Sequence, residues 1–154
     1  MPVAGVAPLP DEAGRTECLT RRAPGLDVII GITERETAAF YEVNPVVRRL
    51  REVPGVGPGL ADGVEHVVGH FAFDRPSRRL AAQLSGAGAR VWTYRFDYAA
   101  PDSAFGAARP EDMEGLSRRV RTAWLDFVRT GTPGTDTPWP QHTGHSDSTY
   151  HWSA

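Results

Sequence analysis

Lysine is absent from this sequence: all 17 basic residues are arginines. Set against 19 acidic residues they leave a formal net charge of −2. No basic face is implied, and nucleic acid is not expected as a partner. Alanine and glycine are abundant beside the arginines, so the skew reads as the coding bias of a GC-rich gene rather than as phosphate chemistry. The lone Cys18 excludes an internal disulfide. No apolar run approaches the ~20 residues that a membrane-spanning helix needs. Met1-Pro2-Val3-Ala4-Gly5 carries no positive charge ahead of an apolar stretch. It does not read as a secretory leader, which makes the cytoplasm the default expectation.

What is present suits an ordinary globular chain. Hydrophobic residues make up 40% and charged residues 23% of 154. That length is one domain, or one piece of a larger domain. Sixteen glycines and 13 prolines predict many loops. Residues 1–26 hold Pro8-Leu9-Pro10 and Arg21-Arg22-Ala23-Pro24-Gly25 and read as a loop-rich lead-in with one short turn at most.

Asp27-Val28-Ile29-Ile30-Gly31 is a β-branched run without polar alternation, the pattern of a strand buried on both faces in a parallel sheet. Thr33-Glu34-Arg35-Glu36 then has capping-box spacing and predicts a helix start. Asn44-Pro45 interrupts that helix, and a second stretch runs from Val46 to Val53. Pro54-Gly55-Val56-Gly57-Pro58-Gly59 reads as a loop, and Leu60 to Phe73 as a further helix. Asp74 is the expected N-cap of the next helix, whose stripe is Leu80, Ala81, Leu84 and Ala87 and which Gly86 and Gly88 end. Arg90 to Tyr98 reads as a strand whose aromatics at 92, 94 and 96 alternate faces and belong to the core. Leu116, Val120, Ala123, Trp124, Phe127 and Val128 recur at helical spacing, and Gly131 ends that last helix. The order strand, helices, strand, helix predicts an α/β fold with parallel strands and flanking helices. Two strands make an incomplete sheet, so residues 27–154 read as the end of a larger α/β domain.

Few constellations carry chemistry. A serine hydrolase of the α/β type needs a Gly-x-Ser-x-Gly elbow, and none exists here. Gly144-His145-Ser146-Asp147-Ser148 comes nearest, and it reads as a polar loop. His66 and His70 lie four apart on a helix with Glu65 before them, which suits two ligands of one metal. Val67 stands where a zinc protease needs glutamate, no third ligand is evident, and ordinary histidines are the simpler reading. No metal or cofactor is expected. His142, His145 and His151 sit in a tail read as solvated. Asp112, Glu114, Arg118, Arg119 and Arg121 read as the solvated face of the last helix. Glu36 has two compatible readings: it closes the capping box, and it is a carboxylate just past the carboxyl end of a buried parallel strand, where open α/β sheets place functional groups.

Several strings resemble the type-B carboxylesterase family, the group of para-nitrobenzyl esterases and cholinesterases, in the family's order. Pro2-Val3 through Pro8-Leu9-Pro10 is similar to the segment before the acid strand. Gly31, Thr33 and Glu36 match a Gly-x-Thr-x-x-Glu-Gly turn, with Thr37 in place of the last glycine. Phe73 to Gly88 and Val91 to Phe96 resemble the next helix and strand. Ala123-Trp124-Leu125-Asp126-Phe127-Val128-Arg129-Thr130-Gly131-Thr132-Pro133, then Trp139-Pro140, resembles the closing helix and loop. The resemblance covers most of this chain and only the C-terminal part of a full family member. It implies the C-terminal part of an α/β-hydrolase fold, a small-molecule ester as the parent substrate, and Glu36 as the acid of the catalytic triad. The family's histidine lies in a Gly-Ala-x-His segment, where this chain has Gly106-Ala107-Ala108-Arg109 and runs on into the final helix, so the histidine and the stretch after it read as deleted. The expectation is a segment that does not hydrolyse esters alone. The alternative is a non-catalytic module that docks with a complementing N-terminal polypeptide through an exposed sheet edge.

Overall fold

A computed structural model of the chain describes residues 11–33, 44–97, 110–143 and 148–153. Three strands form a parallel sheet in the order β1-β2-β3: β1 (Asp27–Thr33), β2 (Arg90–Phe96) and β3 (Thr149–Trp152). The helices are α1 (Glu12–Arg22), α2 (Pro45–Arg51), α3 (Gly57–Gly69), α4 (Arg75–Gly86) and α5 (Pro110–Thr130), with a π-helical segment, His70–Asp74, joining α3 to α4. The parallel α/β class predicted above is therefore correct.

The sheet carries a different core on each face. On one, Ala23, Ala81, Leu84, Ala89 and Val91 are buried, with Leu19, Val28 and Ile30 packed against them. That face belongs to α1 and α4. On the other, Trp92, Leu116, Ala123, Trp139 and Trp152 are buried beneath α5. Side chains alternate along a strand, so residues two apart share a face. Trp92, Tyr94 and Phe96 accordingly all join the second core rather than alternating between faces. The rings meet mostly edge to face, Trp92 on Phe127 at 5.8 Å and Tyr94 on Trp139 at 6.0 Å.

The strand starts are clamped. Asp27 and Arg90 are register partners, and the guanidinium donates to both carboxylate oxygens at 2.6 Å. The hydrogen bond from its guanidinium to Asp27 holds the Arg90 pKa above its ordinary value. Gly131, at φ +73°, ends α5 against this pair: a Cβ there would lie 2.2 Å from an Asp27 oxygen. Gly31 is also required, because a Cβ on it would fall 1.9 Å from the Tyr94 ring.

Four expectations need correction. The lead-in contains a helix, α1, because Asp11 accepts the Gly14 N–H at 2.7 Å and so caps it. The Pro54–Gly59 loop stops early, since α3 begins at Gly57 with Pro58 in its first turn, where a missing N–H is harmless. Asp74 is no cap. Its backbone is helical and its carboxylate takes Arg78 at 2.8 Å, so the helix passes through the π turn unbroken. The tail is not solvated: it supplies β3, and Trp152 and Trp139 are buried.

Burial also differs from expectation along two elements. Of the last helix's predicted stripe, Leu116, Val120, Ala123 and Phe127 face the core, while Trp124 and Val128 lie on its outer flank, Val128 being 79% exposed. The three-and-four spacing of the first four keeps them on one line, and 124 and 128 fall a residue further round. No residue of β1 is fully buried, although its composition is that of an interior strand. Among the described residues β1 pairs along one edge only.

Candidate functional site

In parallel α/β sheets functional groups gather beyond the carboxyl ends of the strands. Thr33 closes β1 at that end. Glu36, Gly106–Arg109 and His145 lie outside the described residues, as does the helix that the Thr33 capping box predicts.

The described groups at this end belong to β2 and β3. Arg95 and His151 are register partners across the parallel pair. Asp97 follows β2 directly, and its N–H donates to the Trp152 carbonyl at 3.1 Å, which continues the ladder. One Asp97 oxygen accepts the Arg95 Nε–H. The other pairs with His151 Nδ1. The carboxylate therefore orients a half-exposed imidazole, as an acid does in acid–base dyads. Among the described residues no hydroxyl or thiol is hydrogen-bonded to His151. Sequence reading missed this cluster. Its signal was Arg95-x-Asp97, two residues on one face, and its third member came from an unrecognised strand.

Burial pushes the Asp97 carboxyl up, but hydrogen bonds and charge from Arg95 and His151 outweigh it and hold the group below the usual carboxylate range. A depressed folded pKa means the contribution is present above the unfolded value, about 3.9, and is lost as pH falls through the folded one. Asp97→Asn is therefore expected to lower the urea midpoint at pH 7 and to make little difference near pH 2. Equal losses at both pH values in urea titrations would show that the charge contributes nothing.

The other histidines separate. His66 is exposed, while His70 Nδ1 lies 3.0 Å from an Asp74 oxygen at the end of the π turn. Glu65 is buried against Arg51 at 3.4 Å. Among the described residues no three His, Cys, Asp or Glu side chains converge as a metal would require. His142, expected in solvent, is buried. Glu114, Arg118, Arg119 and Arg121 are exposed as predicted, and Arg119 donates to the Ser153 carbonyl at 2.7 Å.

The three-stranded parallel sheet with helices on both faces matches the C-terminal part of an α/β-hydrolase fold. No family model matches the chain. Its solved structural relatives are carboxylesterases. The Geobacillus stearothermophilus carboxylesterase EST55 superposes with a TM-score of 0.73 at 23% identity, over 97% of this chain and 42% of that enzyme. PNB esterase superposes at 0.62 and 22% identity, over 82% of this chain and 34% of that one. Among curated proteins, the probable N-octanoylanthranilate hydrolase AqdA2 of Rhodococcus erythropolis is 31% identical over 166 residues, covering 92% of this chain and 36% of that protein. The resemblance read from the motifs thus holds, and the chain spans well under half the length of each relative. No helix among the described residues is long and apolar enough to cross a membrane.

Proposed function

We propose that this chain is the C-terminal segment of a carboxylesterase-type serine hydrolase and does not turn over by itself. In the whole enzyme a serine hydroxyl attacks the ester carbonyl, its proton passes to a histidine and then to the leaving alcohol, and water releases the acid from the acyl-serine. Glu36 is the carboxylate that orients the histidine. The elbow serine has no counterpart in this sequence, and Arg109, which stays protonated, occupies the position that the resemblance gives to the histidine. The name of the Rhodococcus relative makes an acylated anthranilate a substrate worth testing beside simple esters.

The observation that carries this reading is the near end-to-end match to part of a larger enzyme, 97% of this chain against 42% of the Geobacillus carboxylesterase. Among the described residues β1 pairs along one edge only, which supports a second reading, that the chain is a non-catalytic module docking with a complementing N-terminal polypeptide. A sheet edge left open is a template for a further strand. Along α3 and the π turn, Leu60, Val64, Val67 and Phe71 form an exposed apolar row, 44–58% accessible. Co-expression with the N-terminal part of the Rhodococcus relative, followed by size-exclusion chromatography, tests both. A one-to-one complex is expected, and separate elution of two soluble chains would count against a shared sheet.

A further inference from the structure

Successive residues of a helix are set about 100° apart. Around the buried line of α5, Leu116, Val120, Ala123 and Phe127, that rotation puts Arg119 and Asp126 on one flank and Trp124 and Val128 on the other. The first flank faces β3. Arg119 donates to the Ser153 carbonyl just past β3, and Gly134, in the segment between α5 and β3, lies against the Asp126 carboxylate. The second flank therefore faces the β1 side of the sheet. The end of α5 agrees, since Gly131 lies against Asp27, the first residue of β1. Trp124 is 47% and Val128 79% exposed on that flank. Beneath it Ile29 of β1 packs against the same core and is only half-buried.

Building on the docking reading above, we propose that the side of β1 away from β2 and the Trp124–Val128 flank of α5 form one continuous docking surface. Its occupant is a polypeptide equivalent to the N-terminal part of a carboxylesterase, which lays a strand parallel to β1 and packs apolar side chains under Trp124 and Val128. Parallel sheets have both faces covered, and their inner strands are apolar throughout. Val28, Ile29, Ile30 and Ile32 give β1 that composition, yet none of its residues is fully buried. Among the described residues it pairs only with β2. A strand set beside β1 would direct alternate side chains to the α5 face, where the exposed flank lies. One occupant thus covers both the strand and the helix flank.

Length and strand direction select the occupant. The Geobacillus carboxylesterase and the Rhodococcus relative are matched over only 42% and 36% of their own chains. The larger part of each is left to supply a strand and the elements that flank it. A second copy of this chain fits less well. Two copies meeting on the same face are related by a two-fold axis, which would set β1 antiparallel to β1. Both strand pairs among the described residues are parallel.

The test is capture of the N-terminal part of the Rhodococcus relative, co-expressed with the affinity-tagged full chain. Val128→Arg changes a side chain that the chain's own core does not use. It is expected to reduce the captured partner about tenfold or more, because the interface would bury an unpaired charge. Val128→Leu is expected to retain the partner, and so is Thr122→Arg, an exposed position on the β3 side of α5. Hydrogen exchange followed by mass spectrometry is expected to slow in residues 27–33 and 124–128 together when the free chain is compared with the complex. A complex that Val128→Arg leaves intact, or in which β1 exchanges as it does in the free chain, would overturn the proposed surface and leave the docking reading standing. Self-association of the chain that Val128→Arg abolishes would give the face to a second copy and overturn the proposed occupant. Recovery of soluble, folded chain without the partner would sink both the proposal and the docking reading. None of these readouts involves hydrolysis, so the esterase reading fails separately.

Discussion

Incubated with para-nitrophenyl butyrate, the isolated chain is expected to release para-nitrophenol no faster than buffer does. Removing the nucleophile or the base from a serine hydrolase lowers turnover about a million-fold. This sequence contains neither the elbow serine nor, at position 109, a group able to accept a proton. The oxyanion donors that sustain residual catalysis in such variants are built upstream in the resembling family. The stronger test restores the parts. In a chimera of the N-terminal part of the Rhodococcus relative with this chain, Arg109→His is expected to raise turnover by at least ~1,000-fold, and Glu36→Gln in that background to remove most of the gain, since mis-orienting the histidine costs ~10,000-fold. Saturable hydrolysis by the isolated chain would place a nucleophile within it and sink the proposed role. Gain from Arg109→His without dependence on Glu36 would assign the acid elsewhere.

The second large effect is on stability. Trp139→Ala is expected to cost about 3–5 kcal/mol, the usual range for truncating a buried aromatic. Trp139 is 7% exposed, stacks on Tyr150 at 4.9 Å and meets Trp152 at 5.9 Å. Its indole N–H donates to the Thr93 carbonyl at 3.0 Å, which fastens the segment before β3 to β2. Trp139→Phe keeps most of the apolar contact and loses that bond, so a smaller loss of about 1 kcal/mol is expected. Urea unfolding followed by far-ultraviolet circular dichroism separates the two. Similar midpoints for Trp139→Ala and the parent would mean that the second core does not depend on this ring.

The elements that were legible were those whose pattern is local and redundant. Four residues of α5 at the right spacing announced its buried line, and β1 and β2 announced themselves by β-branched and aromatic content. The capping geometry of Asn44, which accepts from the Val46 and Val47 N–H groups, fits the predicted interruption at Pro45. β3 was missed because four residues are too few to establish a period, and its histidine reads as polar. The alternation was there: Tyr150 and Trp152 face the aromatic core, while Thr149 and His151 line an open cleft on the other side. α1 was missed because no residue in it is fully buried, so no stripe marks it. The Asp97 cluster was illegible for a third reason: Asp97 and His151 are 54 residues apart, and only strand pairing brings them together.

The position of β3 also governs when the molecule can form. Its partners in the sheet are Thr93 to Phe96, and Trp152 completes a core begun by Trp92. During synthesis β2 therefore waits for its β3 neighbour until Trp152 has left the ribosome, and Phe96, which stacks on Trp152, is the ring whose cover arrives last. Such late closure of long-range parallel pairs slows folding and lengthens the interval in which chaperones are needed.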